Sequence, residues 1–184
     1  YVQGGELLHP GEIVLEPGES YSTPLVAAVY SDGGLTPATW GFHRLARSSP
    51  AHPTTPRPVL LNTWEAVYFN HDTERLRALA DVAASVGVER FVLDDGWFGS
   101  RRDDTSGLGD WWVSPDVYPD GLAPLIDHVT GLGMEFGIWV EPEMVNPDSE
   151  LLRAHPEWAL VTDGYEPVLG RNQLVLDLAR PEAL

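Results

Sequence analysis

A chain of 184 residues, 43% of them hydrophobic and none of them cysteine, is long enough for one sizeable core and excludes disulfides, thiolate nucleophiles and thiolate metal sites. Its formal net charge of −17 repels phosphate backbones and anionic lipid surfaces, which argues against nucleic-acid and membrane partners and leaves a neutral ligand open. All 11 basic residues are arginine, so these residues supply neither Schiff-base chemistry nor a lysine-dependent phosphate loop.

Residues 1–46 are rich in Gly, Pro and β-branched or aromatic residues. Short runs such as Glu12-Ile13-Val14-Leu15 and Leu25-Val26-Ala27-Ala28-Val29-Tyr30 alternate with turn signals, which predicts two to four antiparallel strands. The opening Tyr1-Val2-Gln3-Gly4-Gly5 lacks both an initiator Met and a signal layout, and the closing Pro181-Glu182-Ala183-Leu184 starts a helix without a body. Both ends therefore read as cut. Residues 47–58 carry four prolines, sustain neither helix nor central strand, and read as a linker.

From residue 59 the pattern becomes alternating strands and helices. The strands are expected at 58–64, 90–95, 135–140 and 172–177. The first helix is expected from Thr73, with Asp72 as N-cap, apolar Leu76, Leu79, Ala80, Ala83 and Val86, and Gly87 as the stop. A second lies at 122–132 before Gly133, and a short third runs from Ser149 to about His155. Apolar strands each followed by a helix predict a parallel sheet in an α/β fold. The long polar loops after the strands favour half of a (β/α)8 barrel. The first strand-to-helix connection, Trp64-Glu65-Ala66-Val67-Tyr68-Phe69, has no glycine to admit a pyrophosphate, which excludes a dinucleotide fold there.

Each expected strand end carries residues suited to an uncharged polyhydroxylated ligand: Trp64 and Glu65, then Asp94 and Asp95, then Trp139, Glu141 and Glu143, then Arg171 ahead of the fourth strand. Tryptophan offers a flat face to the C–H side of a sugar ring, carboxylates accept from hydroxyls, and arginine donates a rigid fork. Each also has a plainer explanation. A tryptophan at a strand end can be core, Glu141 and Glu143 can flank a turn stiffened by Pro142, and Asp110-Trp111-Trp112 can line the mouth or pack over the barrel top. The run Arg101-Arg102-Asp103-Asp104 reads as a solvated charge cluster. The six histidines are scattered without paired spacing, so no metal site and no cofactor is expected.

The runs Asn62-Thr63-Trp64-Glu65-Ala66, Leu93-Asp94-Asp95-Gly96-Trp97-Phe98-Gly99, Gly109-Asp110-Trp111, Trp139-Val140-Glu141-Pro142-Glu143-Met144 and Gly170-Arg171-Asn172-Gln173 together resemble family 36 glycoside hydrolases, the bacterial-type α-galactosidases. The resemblance implies that residues 1–46 end an N-terminal β-sandwich and that residues 59–184 are the first four βα units of the catalytic barrel. It further implies retaining hydrolysis of terminal α-linked galactose. Trp64 and Trp139 would wall the galactose, Asp94 and Asp95 would accept from its 4-OH and 6-OH, and Arg171 would orient the catalytic carboxylate. Glu141, Glu143 and Asp110 would stand behind them. The nucleophile and the acid/base would lie beyond this chain, which is then inactive alone. A cytoplasmic location and a homo-oligomer of four copies are implied as well. A transferase related to raffinose synthase and a non-catalytic galactose-binding fragment remain the alternatives.

Overall fold

The computed structural model describes residues 4–162 and 164–183. The chain divides into two compact units, Tyr1–Pro56 and Arg57–Leu184.

In the first unit the described residues form one helix, α1 (Leu35–Ser48), and no strand. This corrects the two to four strands expected over 1–46, of which residues 1–3 lie outside the described chain. Leu25 and Tyr30 are 88% and 89% exposed. An extended run becomes a strand only when a neighbour takes up its backbone groups and covers its apolar face, and none does so among the described residues. α1 starts after Gly34, whose φ of 91° suits glycine. Pro37 falls in its first turn, where a missing N–H removes no intrahelical hydrogen bond.

The second unit is built on a three-stranded parallel sheet in the order β1 (Leu60–Asn62), β2 (Arg90–Leu93), β3 (Glu135–Ile138). Leu61 pairs with Phe91 and Phe91 with Phe136. A single-turn helix α2 (Trp64–Val67) follows β1, and α3 (Thr73–Ser85) leads to β2. Asp72 caps α3 by accepting from the Arg75 amide at 2.7 Å. Past its end, Gly87 has φ 88°. α4 (Ala123–Gly131) leads to β3. Leu76, Ala80 and Ala83 of α3 and Leu125 and Val129 of α4 bury against Phe91 and Leu93 in one core. The apolar periodicity read from the sequence is thus the face these helices turn to the sheet.

The fourth expected strand is also corrected. Of residues 172–177 only β5 (Leu174–Val175) is a strand, and it pairs antiparallel with β4 (Met144–Val145), apart from the parallel sheet. Between them stands α5 (Glu150–Ala154), capped by the Ser149 hydroxyl, which accepts from Leu152 N at 3.0 Å. The protein is a mixed α/β structure with a parallel sheet, and the barrel is not closed among the described residues. Because β1, β2 and β3 run the same way, their C-terminal ends and following loops share one rim.

Candidate active-site cleft

At that rim lies a cleft of about 540 Å3 lined by Asn62, Trp64, Glu65, Asp94, Asp95, Arg101, Trp139, Glu141 and Arg171. The two indoles, the twin aspartates and the guanidinium expected from the sequence are all in it. Glu143 and Asp110 are not.

Asp94 and Asp95 continue directly from β2, and both are buried. The Asp94 carboxylate accepts from the Asn62 side-chain amide of β1 and from the Asp95 backbone N–H at 2.8 Å, while its own N–H donates to Thr63 Oγ1 at 3.0 Å. Strand pairing therefore sets its position. Asp95 faces Arg101, whose Nε donates to Oδ1 at 2.9 Å and Nη2 to Oδ2 at 2.8 Å. Such a bidentate charge-assisted pair fixes the plane of the carboxylate. The Arg101 side chain is 1% exposed, which corrects its reading as part of a solvated charge cluster. Its guanidinium also stands 5.5 Å from the Phe69 ring centroid, a cation–π contact.

Trp139 follows β3 and belongs to an aromatic cluster, near-parallel to Phe98 at 6.4 Å and edge-on to Trp111 at 6.2 Å. Trp97 Nε1 donates to the Trp139 carbonyl at 2.9 Å, and Trp139 N donates to Leu93 O at 2.9 Å. Trp64 opens α2, its N–H on Asn62 Oδ1 at 2.8 Å and its ring edge-on to Tyr68 and Phe69, both at 5.1 Å. Glu141 accepts from Gln173 Nε2 at 3.2 Å. Partial burial, reinforced by the neighbouring Glu143 charge, pushes its carboxyl up from the ordinary value, against the pull of Arg171.

Arg171 and Asn172 have φ of 51° and 63° and form the centre of a tight turn in which Gly170 and Gln173 exchange both backbone hydrogen bonds, at 3.1 and 2.9 Å. Two positive φ angles in succession are the signature of a type I′ turn, a geometry that arginine rarely adopts. Asp110 instead caps α5: its two oxygens accept from Glu150 N and Leu151 N, each at 3.0 Å. Glu143 is exposed, and its carbonyl accepts from Leu176 N at 2.9 Å.

Residues 20–184 match the melibiase family. The chain belongs to that family. It is 50% identical to an alpha-galactosidase of Escherichia coli over its full length, covering 26% of that protein, and 48% identical to alpha-galactosidase AgaA of Geobacillus stearothermophilus, covering 24%. In structure it resembles the family 36 alpha-galactosidase AgaB of G. stearothermophilus with a TM-score of 0.84 at 48% identity, over 92% of this chain and 24% of that one. A stachyose complex of an AgaA variant superposes with a TM-score of 0.85 at 48% identity over the same shares. The chain thus spans about a quarter of the length of these melibiase relatives. Among the described residues no group of His, Asp and Glu is arranged to hold a metal ion, and no helix is long and apolar enough to cross a membrane.

Sequence reasoning passed over several buried polar residues near the cleft, Asn146 and His71 among them. His71 is 7% exposed beneath the Asp95–Gly96 turn, with Nδ1 2.8 Å from the Tyr118 hydroxyl and Nε2 buried without a hydrogen-bond partner among the described residues. Burial lowers its pKa from the ordinary 6.5, although the Asp95 and Tyr68 backbones pull it back, and burial raises the Tyr118 hydroxyl. Burial therefore favours the neutral ring in the native state. Above about pH 6.5 the stability this represents is complete. As pH falls through 6.5 toward the depressed native value, the unfolded chain gains a proton that the folded one refuses, and stability drops. Denaturant titrations between about pH 7 and about pH 5 are expected to show a shallower loss of stability for His71→Gln than for the unaltered protein.

Proposed function

We propose that this chain is the sugar-gripping part of a retaining α-galactosidase. On this reading β1, β2 and β3 are the first strands of a (β/α)8 barrel whose remaining strands belong to other parts of a longer protein. The observation that carries it is the convergence of Asp94, Asp95, Trp64, Trp139 and Arg171 on one cleft. Fixed carboxylates accept hydrogen bonds from hydroxyls, and indole faces cover the apolar side of a pyranose. That is recognition suited to a neutral hexose, and the acidic chain does not oppose it. The structures of AgaA variants solved with stachyose and with raffinose add support, since these relatives bind galactose-bearing oligosaccharides.

Retention requires a nucleophile and an acid/base about 5–5.5 Å apart. Asp94 and Asp95 are committed to Asn62 and Arg101, and the reading assigns the reacting pair to segments outside this chain. Homotetrameric assembly and a cytoplasmic location belong to the same reading and rest on the resemblance alone. The test is hydrolysis of a chromogenic α-galactoside: the longer enzyme is expected to release the chromophore and the 184-residue chain none. Turnover by the isolated chain, or a longer enzyme indifferent to α-galactosides, would overturn the proposal. Product analysis with an added acceptor sugar separates hydrolysis from transfer.

A further inference from the structure

The side chain of Asn146 is fully buried, and all of its hydrogen-bonding capacity is used. Its Oδ1 accepts from Arg101 Nη1 at 2.8 Å and from Leu108 N at 2.9 Å, and its Nδ2 donates to Asp104 O at 3.2 Å and to Asn172 O at 2.8 Å. These partners lead to two sides of the cleft. Through Arg101 the amide reaches Asp95, which that guanidinium grips bidentately. Through the Asn172 carbonyl it reaches the tight turn that presents Arg171.

We infer that Asn146 is a positioning residue for sugar recognition: one amide holds the Asp95 arm and the Arg171 arm in register across the cleft. The turn supplies the reason such a tether is needed. Arg171 and Asn172 both sit in the left-handed region, which is unfavourable for side-chain-bearing residues and persists only where the surroundings enforce it. The turn's own bridge between Gly170 and Gln173 closes it, but that bridge does not use the Asn172 carbonyl, which accepts from Asn146 Nδ2. An amide suits the position because it presents an acceptor and a donor on opposite sides, the acceptor to a guanidinium and the donor to carbonyls. A carboxylate of the same shape would satisfy Arg101 and oppose both carbonyls.

The inference rests on the α-galactosidase reading for its substrate, and two measurements on the longer enzyme keep the two apart. Asn146→Asp retains the shape and the acceptor for Arg101 while reversing polarity toward Asn172. It is expected to raise KM, and the inhibition constant of free galactose, about tenfold with kcat changed less than about threefold, the pattern of lost uniform binding. Destabilisation alone would instead shrink the active fraction at unchanged KM. In an Arg171→Met background the same change is expected to cost under about threefold, because the arm it positions is gone.

Independently of any activity, hydrogen exchange at the Gly170 and Gln173 amides is expected to quicken about tenfold in Asn146→Asp while β2 amides keep their protection. Asn146→Ser, which is smaller and keeps a donor, serves if the aspartate variant does not fold and is expected to show the same pattern in weaker form. Full additivity with Arg171→Met, or unchanged exchange in the turn, overturns the inference. Absence of α-galactoside turnover in the unaltered enzyme together with quickened exchange overturns the functional reading and leaves the tether standing.

Discussion

Asp95→Ala is expected to abolish most activity of the longer enzyme and to destabilise it, by two separable routes. The first is loss of a fixed hydrogen-bond acceptor in the cleft, which is worth about 2–4 kcal/mol of transition-state binding, a fall of roughly 30- to 900-fold in kcat/KM. The second is internal. Arg101 is 1% exposed, and without Asp95 its charge is left with the Asn146 amide, the Ser106 carbonyl and the Phe69 ring, none of them an anion. Breaking a buried pair from one side costs about 3–5 kcal/mol because the surviving charge is uncompensated. Asp95→Asn separates the routes, since it keeps volume and an acceptor oxygen and is expected to recover part of the stability while activity stays low. Steady-state kinetics and denaturant unfolding on the two variants decide. Unchanged kcat/KM in Asp95→Ala would remove Asp95 from the site, and unchanged stability would remove the pair from the fold.

Gly107→Ala is expected to be nearly as damaging although it touches no ligand. Gly107 has φ 79°, and a Cβ there would meet Arg101 N at 2.7 Å and Arg101 Cα at 3.1 Å, both rigid backbone atoms. Its amide also donates to the Asp148 carbonyl at 2.8 Å, stitching the loop after β2 to the segment that carries Asn146. The combination of a left-handed backbone and an overpacked contact costs roughly 2–6 kcal/mol. The strain falls on Arg101, so activity and melting temperature should drop together. Gly121→Ala is the control: its φ is 71° but nothing lies within 4 Å of an added Cβ, so only the backbone part remains.

How much of this was legible differs from residue to residue. The α3 helix was readable because three independent signals agree: Asp72 as cap, apolar side chains spaced 3–4 apart, and Gly87 as stop. The rim was readable because parallel strands must end together, which places Trp64, Asp94, Asp95 and Trp139 side by side from the sequence alone. Helix α1 was missed because Trp40, Phe42 and the β-branched residues before it favour strands locally, and Pro37 looks like a breaker unless the helix start is known. The direction of β5 was missed because a short apolar run states burial but not which neighbour it pairs with. Arg101 and Arg102 are adjacent in one charged run, and nothing in their order says that the first is enclosed while the second is exposed and turns its guanidinium onto the Gly96 and Gly99 carbonyls. Only the fold of the loop over Asn146 distinguishes them. Asn146 itself carried no signal beyond being polar and preceding a proline.

The two tryptophan walls of the cleft differ in what stands behind them. Trp139 leans on Phe98 and Trp111 at the top of the main core, so that wall and the interior of the unit are one body. Trp64 leans on Tyr68 and Phe69, and Tyr68 is 51% exposed at the outer edge. Substitutions that reshape the cleft are therefore expected to cost less stability on the Trp64 flank than on the Trp139 flank, where they disturb the packing of the core itself.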